Sequence, residues 1–386
     1  MKKSKLITII LIVFIVGVIV CGSVVVGVYN AFLKPQSFHD YVIPVSGDGT
    51  GYYRHSYEEL NEEEKKIYSV ILSEIYNQPE RIEVPELTNG DLKKVYRALS
   101  FDNPDLFSIG LKCKMYTGGY KTYFEVDYVM DNETYKKHME EVEAIADVIV
   151  AEANKFTSDY DKEKYVHDYI VTHCTYETPV EGSNANNIYG CLVEGKAGCE
   201  GYSRAFQYLL NKLDIDNRVI TGESTEDGVN FVPHMWNYVT INNKHYFVDV
   251  THDDPQSTDA VLLHTYFNIN TEELLRNHRN LYQVVPLTTD TEHNYFVMEG
   301  SDIPVGSGDV FESMVYNAVN NAKYNNQSIV ELRFPNGAVA AQAMNTLFTD
   351  GAIYNIYKEA DIAVTPGASK FYYMTNETMN TIDIFF

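Results

Sequence analysis

Cysteine, tryptophan and positive charge are all scarce in this chain of 386 residues. The five cysteines, at positions 21, 113, 174, 191 and 199, are too few for a disulfide-framed fold. No C-x-x-C pair and no H-E-x-x-H occurs, so the familiar metal spacings are missing and neither a metal nor a cofactor is expected. Lys and Arg number 30 against 54 Asp and Glu, a net charge of −24, and a surface of that sign repels phosphate backbones. Nucleic acid is therefore excluded as a partner. What the chain does have is an ordinary apolar share of 45%, enough to exclude a largely disordered protein and to build two or three cores.

One uncharged run stands apart, residues 6–28, and three of the lysines (Lys2, Lys3 and Lys5) precede it. At about 1.5 Å rise per residue it is long enough for a hydrocarbon core of about 30 Å, and it exceeds the apolar core of about 7 to 15 residues in a cleaved signal. The reading is an uncleaved anchor with residues 1–5 in the cytoplasm, by the positive-inside bias, and the bulk of the chain extracellular. The outer part then carries 27 bases against 54 acids. Residues 29–56, with Pro35, Pro44 and three glycines, read as a stalk.

Beyond the stalk the pattern alternates between helical and strand periods, which gives an α+β fold class. An N-terminal α+β region is expected over 57–155. Asn61 and Glu64 form a capping-box pattern ahead of Ile67, Tyr68, Ile71, Leu72 and Ile75. A short helix follows over 91–99, then two strand-like runs around Thr117, Gly118 and Gly119, then a long helix opened by Asn132. Residues 156–290 carry the chemistry. Residues 291–386 read as a small C-terminal α+β domain with helices over 309–320 and 338–348, and strands SIVELRF, KFYYMT and NTIDIFF.

Within 156–290, the segment GKAGCEGYSRAFQYLLNKLDI sets Cys199 between glycines, ahead of Phe206, Leu209, Leu210 and Leu213 at helical spacing. A thiol at a loop-to-helix junction meets free amides and the positive end of the helix dipole, which favour the nucleophilic thiolate. The segment VPHMWNYVTINNKHYFVDVTHDDP reads as a hairpin turning at Asn242 and Asn243. With that two-residue loop, Ile241 opposes Lys244 and Trp236 opposes Asp249, so His234 falls on the face of Asp249 and diagonal to it. A slip of one residue would separate them. A thiol nucleophile needs a base, and the base an orienting carboxylate; Cys199, His234 and Asp249 supply the three roles.

These two segments, with HTYFNINTEELLRNHR after them, resemble the core of the bacterial transglutaminase-like superfamily. The resemblance implies a papain-like fold, with a helix carrying Cys199 packed on an antiparallel sheet carrying His234 and Asp249. It implies a Cys-His-Asp catalytic triad acting on amide bonds through a thioester, with a peptide or protein as substrate, cell-wall associated in some relatives. Hydrolysis is preferred to cross-linking, and the alternative is a surface binding or assembly module that keeps the fold without turnover. His252 stands where many relatives have tryptophan and Met235 where alanine is common; with Trp236, both are expected to line the cleft. Tyr189 is a candidate for the oxyanion hole, with simple packing as its competing role. Asp253 and Asp254 read as a turn in preference to a calcium site, for want of an EF-hand loop. A bridge among Cys113, Cys174 and Cys191 is left open; one to Cys199 would block the nucleophile.

Overall fold

The computed structural model describes residues 53–255, 261–362 and 371–386. The tail at 1–5, the apolar run at 6–28 and the stalk up to residue 52 lie outside the described residues. Among the described residues no helix is long and apolar enough to cross a membrane. The chain forms two compact units, one of Ser56–Ser100 with Ser108–Asn132, the other of Phe101–Phe107 with Glu133–Phe386 and residues 53–55.

In the first unit the capping box forms as its residue types demand. Asn61 Oδ1 accepts from the amides of Glu63 and Glu64, both at 3.0 Å, and the Asn61 amide donates to Glu64 Oε2 at 2.9 Å. Helix α1 (Glu62–Ile75) starts there and buries Ile67, Tyr68, Ile71 and Ile75 completely. After β1 (Ile82–Val84) and α2 (Leu92–Asp102), β2 (Ile109–Gly118) and β3 (Lys121–Tyr128) form the expected hairpin. The sheet order is β1-β3-β2, all antiparallel, and alternate residues Thr122, Phe124 and Val126 of β3 face inward.

The second unit begins with two helices, α3 (Asn132–Ala153) and α4 (Asp159–His173), followed by the short parallel pair β4 (Thr175–Tyr176) and β5 (Lys196–Ala197). Helix α5 (Cys199–Lys212) then leads into an antiparallel sheet of β6 (Asn217–Ser224), β7 (Val232–Ile241), β8 (Lys244–Val248) and β9 (His278–Arg279), in the order β8-β7-β6-β9. The helix lies against β6 and β7. Its far end is tied to α3, where Glu143 accepts from Tyr208 and Lys212.

The last part holds α6 (Asp309–Tyr324), β10 (Ile329–Arg333), α7 (Gly337–Met344), α8 (Ala352–Glu359), β11 (Tyr373–Asn376) and β12 (Thr381–Phe385). Its sheet runs β10-β12-β11, and Phe311, Val315, Leu332, Leu347, Ile353 and Ile382 fill its core. This part is continuous with the rest of the second unit. Met379 completes a cluster with Trp236, Phe247 and Tyr266, Arg333 Nη1 donates to Glu273 at 2.6 Å, and His264 Nδ1 lies 2.7 Å from Glu331. Compactness therefore breaks near residue 132, while the expected boundaries at 155 and 290 both fall inside one body.

Candidate active site

Strand β5 passes through Gly198, in extended backbone at φ −89°, into the first residue of α5, Cys199. Gly198 supplies no side-chain cap, so the amides of the first helical turn face the neighbourhood of the thiol. Both glycines of G-C-E-G are sterically required. A Cβ at 198 would sit 2.7 Å from Pro179 Cγ, and one at 201 would sit 2.5 Å from the Ala185 carbonyl oxygen. The loop carrying those residues lies directly on the helix start, and Cys199 stays partly exposed.

The hairpin has the register that its alternation requires. Asn242 and Asn243 take φ of 51° and 62°, the left-handed pair of a two-residue turn, and Ile241 opposes Lys244 with Asn237 opposite Val248. Continued by one residue past β8, the register sets Asp249 beside Trp236 and diagonal to His234. His234 Nε2 lies 2.7 Å from Asp249 Oδ2, and the Cys199 thiol is near enough to the same imidazole to favour its charged form. With Nε2 facing the carboxylate, Nδ1 is the nitrogen left for the thiol. Burial disfavours the charged ring, but Asp249 outweighs it and lifts His234 to about 8.

Two hydrogen bonds hold the helix and strand together at this level. Ser203, one turn beyond Cys199, donates from Oγ to the Met235 carbonyl at 2.9 Å, and Asn237 Nδ2 donates to the Ser203 carbonyl at 3.0 Å. All three residues are buried, so the bonds form without competition from water.

Asp249 has more partners than the sequence suggested. His278 Nε2, from β9, lies 2.9 Å from Oδ2, and His252 Nδ1 lies 2.6 Å from the same oxygen, off the line of a hydrogen bond and so in ion-pair contact only. The amides of Thr251 and His252 donate to Oδ1 at 3.1 and 3.2 Å. Burial would raise this carboxyl, yet His234 and His252 hold it well below the usual carboxylate range. His252 is lifted to about 10 by Asp249 and Glu226 against its own burial, whereas burial pushes His278 down to about 4. His278 is the residue the sequence hid. It lies 29 positions after Asp249 on a two-residue strand with no periodic signal, and only the pairing of β9 with β6 brings it in.

Of the residues expected in the cleft, His252 borders it. Trp236 is fully buried, stacked on His234 at 5.8 Å and edge-on to His278 at 4.8 Å, so it supports the imidazoles from behind. Met235 points to the opposite face of β7 from His234 and is also buried, which corrects the expectation that either lines the cleft. Tyr189 is occupied elsewhere: its hydroxyl donates to Glu141 at 2.7 Å and its ring stacks on His138 at 3.7 Å, so its oxygen is engaged by α3 and is not free as an oxyanion donor. Asp253 lies 3.1 Å from His167 Nε2 and accepts from the Tyr266 amide, and Asp254 accepts from Tyr202. Cys113, Cys174, Cys191 and Cys199 are all free thiols; Cys174 and Cys191 are buried, and the Cys174 thiol donates to the Thr175 carbonyl at 3.9 Å.

A cavity of about 510 Å³ opens beside His234 and His252. Three carboxyl groups border it, Glu226, Asp254 and Asp383, with Tyr176, Thr225 and Asn376 among its polar neighbours. Asp383 comes from β12, and its Oδ1 is buried without a hydrogen-bond partner.

Residues 143–250 match the model of the transglutaminase-like superfamily, a span that takes in Cys199, His234 and Asp249. No curated protein matches the chain. Among solved structures, a crystal structure of a TGase is 19% identical, with 52% of this chain and 59% of that one covered, at a TM-score of 0.28. A proposed cysteine protease from Cytophaga hutchinsonii is 10% identical over 37% of this chain and 62% of its own, at a TM-score of 0.25. A proposed protease from Parabacteroides distasonis is likewise 10% identical, over 35% of each chain, at a TM-score of 0.22. This chain thus spans less than two thirds of each of these structures. Cys199, His234 and Asp249 all lie in the part of the chain that matches the transglutaminase-like superfamily model.

Proposed function

We propose that this protein is a thiol enzyme that cleaves amide bonds in peptides, with Cys199 as nucleophile, His234 as base and Asp249 as the carboxylate that orients it. The observation that carries this reading is the single imidazole held between a helix-start thiol and a buried carboxylate. The superfamily match over the same residues supports it. The Cys199 sulfur attacks the carbonyl carbon, and amides at the start of α5 stabilise the oxyanion. His234 returns a proton to the departing amine, which leaves a thioester. Water, deprotonated by His234, then attacks the thioester, releasing a carboxylic acid and restoring the thiol. Asp249 fixes the imidazole's orientation and stabilises its charged form.

Of the carboxyl groups at the cavity, burial pushes Asp383 and Asp254 toward the neutral form, while His252 keeps Glu226 ionised, so Glu226 is the one that favours a substrate with a positive charge close to the scissile bond. The same lining favours a second reading, in which an amine resolves the thioester and the product is a new amide. By the length of the uncharged run and the three lysines ahead of it, the chain is held at the membrane by residues 6–28 with its catalytic part outside. Protease added to intact cells producing the chain should then digest the catalytic part; full protection would refute that placement.

The test of the catalytic reading is alkylation of Cys199 near neutral pH, followed by peptide mass spectrometry. Iodoacetamide should modify Cys199 at least about 10-fold faster than free cysteine, and His234→Ala should abolish the advantage. A cationic reagent such as 2-bromoethylamine should outpace iodoacetate, with the gap narrowed in Glu226→Gln. Equal rates in wild type and His234→Ala would favour a non-catalytic binding module. Peptide libraries incubated with wild type and Cys199→Ala then separate the outcomes, because hydrolysis and amine incorporation leave different masses.

A further inference from the structure

The ring of imidazoles around Asp249 exceeds what a Cys-His-Asp triad uses. His234 Nε2, His278 Nε2 and His252 Nδ1 converge on one carboxylate oxygen at 2.7, 2.9 and 2.6 Å. The four donor atoms all lie within 4.8 Å of one another. A tetrahedral zinc site has bonds of about 2.0 to 2.2 Å to nitrogen and oxygen, and therefore donor atoms about 3.3 to 3.5 Å apart. The three nitrogens now stand 2.6 to 2.9 Å from Oδ2, so a metal at the centre requires them to part from that oxygen by roughly 0.4 to 0.9 Å.

The outer contacts have the form that metal-binding histidines adopt, in which the second ring nitrogen is held by an oxygen acceptor. His278 Nδ1 lies 2.8 Å from Asn277 Oδ1, and His252 Nε2 lies 3.1 Å from Glu226 Oε1. With a metal at the centre in place of the Nε2 proton that now faces Asp249, a neutral His278 would keep its one proton on Nδ1, donated to Asn277, and turn the lone pair of Nε2 to the cluster. His252 is the second pointer. Its side chain is 6% exposed, and neither ring nitrogen makes an aligned hydrogen bond, although Nδ1 is aimed at the centre. Its two nitrogens stand against carboxylates, Asp249 at 2.6 Å and Glu226 at 3.1 Å, so a metal at the centre would take the place of the Nδ1 proton while Glu226 holds the other nitrogen.

We propose that His234, Asp249, His252 and His278 form a binding site for a divalent transition metal of the zinc class, and that its occupancy switches the thiol off. The switch follows from valence. Once Nε2 of His234 is coordinated, the neutral ring carries its proton on Nδ1, the nitrogen that faces Cys199. No lone pair then remains to take the thiol proton, and the base is lost until the metal leaves. The binding itself does not depend on the catalytic role assigned to Cys199.

The experiment uses chelator-treated full chain carrying Cys199→Ala, so that a thiol contributes nothing. Zinc titrated by calorimetry should bind one ion per chain, with affinity reduced roughly 100-fold or more by His252→Ala and by His278→Ala. Cobalt should give the intense visible absorption of a tetrahedral site. Circular dichroism of each variant establishes that it is folded, and should either fail to fold, the cobalt spectrum of the parent chain decides alone. Absence of zinc uptake, undiminished uptake in both folded variants, or only the weak spectrum of octahedral cobalt would overturn the proposal. In the chain with Cys199 intact, zinc should slow alkylation and a chelator restore it. An enzyme reading that failed by alkylation would leave the calorimetric result untouched.

Discussion

Cys199 and His234 belong to different elements, and their meeting depends on side chains that perform no chemistry. Ser203 and Asn237 make reciprocal contacts between α5 and β7, one turn from the thiol and three residues from the imidazole. Removing the Asn237 amide leaves the strand without its grip on the helix and a polar group buried beside it. We expect Asn237→Ala to lower stability by about 1 to 3 kcal/mol in urea unfolding. It should also reduce the excess alkylation rate of Cys199, since the thiol-imidazole distance is no longer fixed; an unchanged rate would show that the contact only stabilises. At this scale the triad was legible in the sequence because each member sits in a strong local pattern: Cys199 before a helical apolar period, and His234 and Asp249 in alternating strands. His278 and Asp383 were not legible. Each reaches the site only through long-range strand pairing, and a two-residue strand or a buried acid at a sheet centre leaves no local periodicity to read.

The hairpin of β7 and β8 is the element on which the site turns. Its register follows from two asparagines that accept left-handed backbone, and a shift of one position would send Asp249 to the other face. A residue with a Cβ and no local polar side chain pays roughly 1 to 2 kcal/mol in that conformation. Asn243→Ala should therefore lower stability by about that amount in urea unfolding, whereas Asn243→Gly should leave it close to wild type. If both variants match wild type, the turn conformation does not hold the register. The helices of the C-terminal part were readable to within a few residues from their apolar spacing. Helix α8 was not anticipated, although its buried Ile353, Ile356 and Tyr357 repeat at helical intervals, because the segment is only eight residues long. Trp236 and Met235 show the limit of motif reading in another way: adjacency to a catalytic residue in sequence says nothing about depth, and both are buried away from the cavity.

For the molecule as a whole, the C-terminal sheet shares a buried charge network with the catalytic part, as well as a core. His264 is the hinge of that network: Nε2 lies 2.8 Å from Asp168 on α4, and Nδ1 lies 2.7 Å from Glu331 on β10. Burial and nearby Lys164 oppose a charge on this ring, but Asp168 and Glu331 outweigh them and raise it from 6.5 to about 9. A histidine raised in the folded state stabilises fully below its unfolded value, and that contribution falls away as pH rises through the folded one. Resistance to urea should thus decline between about pH 7 and 9 in the wild type. Asp253, pushed up by burial to about 6, completes its titration below that window, but His234, His252 and Glu163, raised to about 8, 10 and 8, contribute within it with the same sign. The share of His264 is therefore read as the difference in slope between wild type and His264→Gln. His264→Gln leaves the buried Glu331 without its cation, while the part-exposed Asp168 keeps Lys164 at 2.7 Å, and should cost about 3 kcal/mol at pH 7, with a flatter dependence above it. A wild-type midpoint independent of pH across the window, or a variant that keeps the same slope, would mean that His264 is not charged in the folded protein and that the Arg333–Glu273 pair and the packing around Met379 join the two parts without it.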